Sequence, residues 1–232
     1  MAHQPRQFAL NIRTWGGRRR GAGRKPTADR HSTPHRKRAT HDPHCPVHVT
    51  LRARRGLSSL RDDGIFCAVR GAFAAASRNG FRLLHYSVQS DHLHLVVEAD
   101  EPTRLSRGVQ GLAIRVARAI NRVLRRHGRV WDERFHAHTL RRPREVRNAL
   151  VYVLNNCKKH LRAVAGLDPC SSAAWFDGWR TTIPAPAHGA SVVAAHTWLA
   201  RVGWRRHGLL EIDEAPGERH RRSVPPRSSP RS

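Results

Sequence analysis

Four short segments with period-two alternation, two intervening stretches of helical periodicity and a third helical stretch after the last strand predict an α+β fold with a ferredoxin-like (RRM-like) layout. The order strand, helix, strand, strand, helix, strand implies an antiparallel sheet with helices on one face. The third helix is then expected to cover the other face.

The first strand is expected over residues 46–53, where Val47, Val49 and Leu51 alternate with His48, Thr50 and Arg52. A helix over 62–78 follows, with Ile65, Phe66, Val69 and Phe73 on one side. Strands are expected at 81–89 and 92–99. A long helix over 102–127 comes next, its apolar face formed by Leu112, Val116, Ala119, Ile120 and Val123. After a strand at 131–140, Pro143 and Glu145 open a helix over 144–162 that ends on the basic pair Lys158 and Lys159. Leu150, Val153, Leu154, Cys157 and Leu161 form its apolar stripe. Tyr152 and Asn156, spaced i to i+4, project together from a different face.

Composition separates this core from its flanks. Residues 1–43 read as a basic disordered arm, since from Gly16 to about Arg38 there is too little apolar content to offset chain entropy. The core spans 44–165, an extension with a short helix spans 166–213, and a Pro/Arg/Ser-rich disordered tail spans 214–232. Trp175, Phe176 and Trp179 in the extension are expected to pack at the core's edge in preference to stacking on bases.

Lys and Arg total 43 against 17 acidic residues, a net charge of +26. Such an excess calls for a polyanionic partner. No apolar run is long enough to span a membrane, and the first apolar stretch, Phe8 to Leu10, does not resemble a secretory signal. A cytoplasmic, nucleoid-associated protein is expected. The four cysteines are widely spaced, without a Cys-x-x-Cys pair, and are expected to be free and buried. No phosphate-binding loop of the Gly-x-x-x-x-Gly-Lys-Ser/Thr type occurs.

His92-Leu93-His94 is the most informative motif. On a strand the two imidazoles share a face while Leu93, Leu95 and Val97 take the other, which makes half of a metal site. His136-x-His138 has the same spacing but lacks the apolar flank, and ranks second.

His92-Leu93-His94 together with Tyr152-x-x-x-Asn156 resembles the single-tyrosine HUH transposases, in particular their REP-associated tyrosine transposase branch. Trp131-Asp132-Glu133-Arg134-Phe135 and the opening strand Pro46 to Arg52 match further elements of that pattern, which covers about residues 44–162 in order. Cys157 departs from it, standing where the branch usually has Pro, and this bears on the length of the last helix. The resemblance implies a metal-dependent DNA nickase and strand transferase. Tyr152 would be the nucleophile that forms a 5′-phosphotyrosine link. His92, His94 and Asn156 would hold a divalent cation, Mg²⁺ or Mn²⁺, for which an oxygen-tolerant, open site is suited. The substrate would be single-stranded or hairpin DNA, and a homodimer with exchanged final helices is left open.

Candidate DNA contacts are Arg18, Arg19, Arg20, Arg24 and Lys25 in the arm, where Arg20 to Pro26 is similar to an AT-hook with Lys25 intervening. Arg115, Arg118 and Arg122 on the long helix and Lys158 and Lys159 complete the set. Two rival readings use the same fold. One is an RNA-recognition-type binder, which would need aromatics at mid-strand where histidines stand here. The other is a catalytically inactive or domesticated transposase kept as a nucleic-acid-binding protein.

Overall fold

The computed structural model describes residues 41–157, 166–184, 186 and 189–215. The arm with Arg18, Arg19, Arg20, Arg24 and Lys25, the pair Lys158 and Lys159, and the tail beyond residue 215 lie outside them.

Strand β1 (Val47–Arg52) leads to helix α1 (Asp63–Ala74), the hairpin β2 (Phe81–Val88) and β3 (His92–Ala99), helix α2 (Pro102–Val123), strand β4 (His136–Thr139) and helix α3 (Pro143–Leu154). The sheet order is β2-β3-β1-β4, and every neighbouring pair is antiparallel. This is the ferredoxin-like arrangement that the element order predicts. Period-two alternation gives the sheet two different faces. Val47, Val49, Leu51, Leu93, Leu95 and Val97 join Ile65, Val69 and Phe73 of α1 and Leu112, Val116 and Ile120 of α2 in the main core. Each such fully buried side chain contributes roughly 1.5–3 kcal/mol. The helix layer sits close to the sheet: a Cβ on Gly108 would come within 2.2 Å of the Phe81 ring.

Boundaries depart from the sequence expectation where local chemistry intervenes. Helix α2 stops at Val123, not near residue 127, because Arg125 turns left-handed at φ 47°. The Arg126 amide then donates to Asn121 O and the Arg125 amide to Arg122 O, a Schellman closure with arginine in the place usually held by glycine. Val123 is consequently exposed, and the buried stripe of α2 starts earlier, at Leu105 and Val109. Strand β4 is shorter than the predicted 131–140. The Trp131 indole donates to Ala113 O, holding the approach to the strand against α2. Of the cysteines, all free, Cys67 is exposed, unlike the buried Cys45, Cys157 and Cys170.

Helix α3 lies on the second sheet face, where Val153 packs with Leu84 and Val96. It is buried nearly all round, including Val146, Ala149, Leu150 and Val151. The reason is the extension: Phe176, Trp179, Trp204 and Leu210 form a second core with the outer side of α3. Phe176 and Trp179 are core residues and Trp175 packs against the main core, as expected of them, whereas Trp198 is exposed. The extension carries 3-10 turns at Ala173–Trp175 and Gly203–His207 and the short helix α4 (Trp198–Arg201). It also pairs along the outer edge of β2, where the Val88 amide donates to Cys170 O and the Ser172 amide to Tyr86 O.

Three buried ion contacts tie the extension down. Arg61 makes a bidentate pair with Asp168. Glu98 of β3 accepts from the His196 and Thr197 amides and the Thr197 hydroxyl at the start of α4. Arg147 of α3 forks onto Glu214 at 2.6 and 2.9 Å, which places Glu214 in the folded body and not in the tail assigned to it from composition. No described helix is long and apolar enough to cross a membrane.

Candidate active site on the second sheet face

Alternation places His92 and His94 of β3, His48 and Thr50 of β1, and His136 and His138 of β4 on the face that α1 and α2 do not cover. Helix α3 crosses this face and lowers Tyr152 onto it. The Tyr152 hydroxyl lies 3.4 Å from His94 Nε2, with the rings edge-on at 4.8 Å between centroids. The imidazoles of His92 and His94 stand 4.6 Å apart and nearly perpendicular. Two separated elements, β3 and α3, therefore bring a phenol and the paired imidazoles together within one chain.

The remaining contacts set the roles of individual nitrogens. His94 Nδ1 lies 3.3 Å from both His48 Nε2 and Thr50 Oγ1. A proton on Nδ1 bonded to either partner leaves Nε2 with a lone pair facing Tyr152. His92 Nδ1 lies 2.6 Å from Asp91 Oδ1, so Asp91 accepts a hydrogen bond from Nδ1–H and Nε2 keeps the free lone pair. The hydrogen bond from His92 also holds the Asp91 carboxyl below its ordinary range, aided by the positive charge of Arg52. Arg52 reaches the same carboxylate at 3.2 Å.

His48 was not singled out from the sequence. Burial, with His138 nearby, lowers its pKa to about 4, so it stands neutral beside His94. Its ring is 5.3 Å from that of His94 and 5.7 Å from that of Tyr152. The alternation of Val47, Val49 and Leu51 did carry the signal, since it turns His48 toward the face that holds the paired histidines.

Asn156 is fully buried, and neither of its amide atoms has a hydrogen-bond partner among the described residues. The i to i+4 spacing on one unbroken helix does not hold. Asn155 bends the chain at φ −110°, and its side-chain amide donates to Glu211 O and Glu214 O of the extension. Tyr152 and Asn156 thus sit on either side of a tethered bend.

Among the described residues no group of three His, Cys, Asp or Glu could hold a metal ion. A cation here would need the His92 and His94 pair plus a different third donor. The buried Asn156 amide fits that requirement, because an orphaned buried amide costs about 1–3 kcal/mol and a cation would engage its oxygen.

His136 and His138 share the sheet face but are exposed, on the far side of β1 from the pair. Arg115, Arg118 and Arg122 on α2 lie across the sheet from Tyr152, so the structure does not bring them to the histidines.

The family model described as "Transposase IS200 like" matches residues 44–156, just under half of the chain. No curated protein matches. Among solved structures, a REP-associated tyrosine transposase bound to a REP hairpin is similar at 19% identity and a TM-score of 0.49, covering 60% of this chain and 82% of that one. A transposase-family crystal structure from Deinococcus radiodurans is similar at 18% identity and a TM-score of 0.37, covering 46% of this chain and 87% of that one. The matched segment runs from just before β1 to Asn156 and contains every residue of the Tyr152, His92 and His94 cluster, so this domain belongs to the IS200-like transposase family.

Proposed function

We propose that the chain is a DNA strand transferase that cuts single-stranded or hairpin DNA through a covalent 5′-phosphotyrosine link. The observation that carries this reading is the 3.4 Å approach of the Tyr152 hydroxyl to His94 Nε2 within one chain. A phenol with a reference pKa near 10 is a poor nucleophile at neutral pH. His94 Nε2 faces the hydroxyl, and the partners on Nδ1 keep its lone pair available to a divalent cation, so the phenol proton would pass to solvent. The phenol oxygen then bonds to phosphorus as the P–O3′ bond breaks, and the departing 3′-oxygen takes a proton to become a hydroxyl. The reverse attack by a different 3′-hydroxyl completes transfer. Bond energy is conserved, in keeping with a sequence that contains no ATP-binding loop.

His92, His94 and Asn156 are the residues that would hold Mg²⁺ or Mn²⁺. Such a cation would stabilise negative charge on the phosphoryl oxygens. Asp91 fixes the His92 ring for that role, and the net charge of +26 draws in the polyanion.

The test is incubation with Mn²⁺ and labelled single-stranded and hairpin DNAs, followed by denaturing electrophoresis. A covalent adduct is expected from the native chain and none from Tyr152→Phe. An adduct that persists in Tyr152→Phe refutes the nucleophile. His92→Ala and His94→Ala are expected to lower adduct yield by roughly 10²-fold or more, the loss typical of removing one transition-state contact.

A further inference from the structure

We infer that a cleft ringed by Arg54, Arg55, Arg126 and Arg129, at the end of the sheet where His92 lies, holds the phosphodiester backbone of the DNA strand as it leaves the catalytic face. The open cleft has a volume of about 310 Å³ between the loop after β1 and the turn that closes α2. Leu57 and Leu124 form an apolar floor and Ser58 adds a hydroxyl. That is room for one nucleotide, with sugar and base on the leucines and phosphates at the rim.

Charge makes the assignment specific. None of the four guanidinium groups pairs with an acidic side chain among the described residues, although ten ion pairs occur elsewhere in them. Arg126 and Arg129 reach only backbone carbonyls, of His127, Arg129 and Asp132. The C-terminal end of α2 supplies about half a negative charge, too little to offset four cations. An anion would neutralise this excess, and planar guanidiniums on several sides suit phosphate oxygens.

Position links the cleft to the strand's path. Arg52 pairs across the sheet with His92, and Arg54 follows two residues later, about 7 Å further at strand rise. The Ala53 amide donates to Asp91 O and the Arg54 amide to Val130 O, which fixes the cleft wall to the same backbone that carries His92. A strand crossing the histidines toward this end meets the arginines next. The inference rests on the reading of the sheet face as a DNA-cleaving site, and it adds a binding subsite separate from the chemistry.

The experiment measures binding apart from cleavage, by fluorescence anisotropy of a labelled single strand with the full-length Tyr152→Phe chain. Arg54→Gln with Arg55→Gln, both exposed and without side-chain partners among the described residues, is compared with Arg78→Gln and Arg107→Gln at the opposite end of the sheet. The cleft pair is expected to weaken binding at least about tenfold and to lower the slope of log affinity against log salt by about 1.4, the value for two lost phosphate contacts on a single strand. A walk of single neutral methylphosphonate linkages should find one position whose penalty disappears in the cleft variant only. Equal losses in the two double variants, or no such position, overturn the cleft assignment while leaving the catalytic reading intact. Absence of single-strand binding by the Tyr152→Phe chain overturns both.

Discussion

The Asp91 carboxylate, 2.6 Å from His92 Nδ1, decides which nitrogen His92 presents. Asp91→Asn retains the size of the side chain but loses the charge, and it should lower Mn²⁺ affinity by roughly 10–100-fold in titration calorimetry. An unchanged affinity would show that His92 is oriented by something else. His85, buried against Phe176 and bonded to Ser172, has its pKa lowered to about 4 by desolvation. The unfolded imidazole, with an ordinary value near 6.5, takes up a proton before the folded one does. Stability is therefore full above pH 7, falls as pH drops from about 6.5 toward 4, and levels below that. His48 adds a slope in the same window. Urea midpoints measured across it should flatten in His85→Gln. The paired histidines and the tyrosine were legible from the sequence because strand alternation and a recurring motif expose them. His48 was legible as a residue of that face from the alternation of β1, but not as the neighbour of His94, since only the β1–β3 register brings the two together.

Elements show where a one-dimensional pattern stops being informative. The core-facing positions of α1 and β3 follow directly from periodicity. Helix α3 does not, because its second buried side faces an extension whose own pattern is irregular. Arg147 illustrates this: it reads as a solvated helix residue, yet it is only 5% exposed and forks onto Glu214. Arg147→Met leaves the Glu214 carboxylate buried without its cation and should cost about 3–5 kcal/mol in denaturant unfolding. Replacing both, Arg147→Met with Glu214→Leu, should recover much of that loss. At the end of α2, Arg125 holds a left-handed conformation at φ 47° that glycine adopts without strain. Arg125→Gly should therefore raise stability by about 0.5–1 kcal/mol, read from the unfolding midpoint.

At the scale of the whole molecule, the extension and the sheet fold as one body. Composition marked residue 166 as a boundary, but it could not show that the segment beyond it holds the tyrosine helix on its own chain's histidines. The extension also closes one margin of the sheet, since residues 170–172 bond to the outer edge of β2. The opposite margin is β4, four residues long, with no further strand beside it among the described residues. Such an open margin can pair with the same margin of a second copy edge to edge about a two-fold axis, and that union consumes both margins at once. Extending the sheet beyond such a pair would need a second open margin, which the bonded outer strand denies.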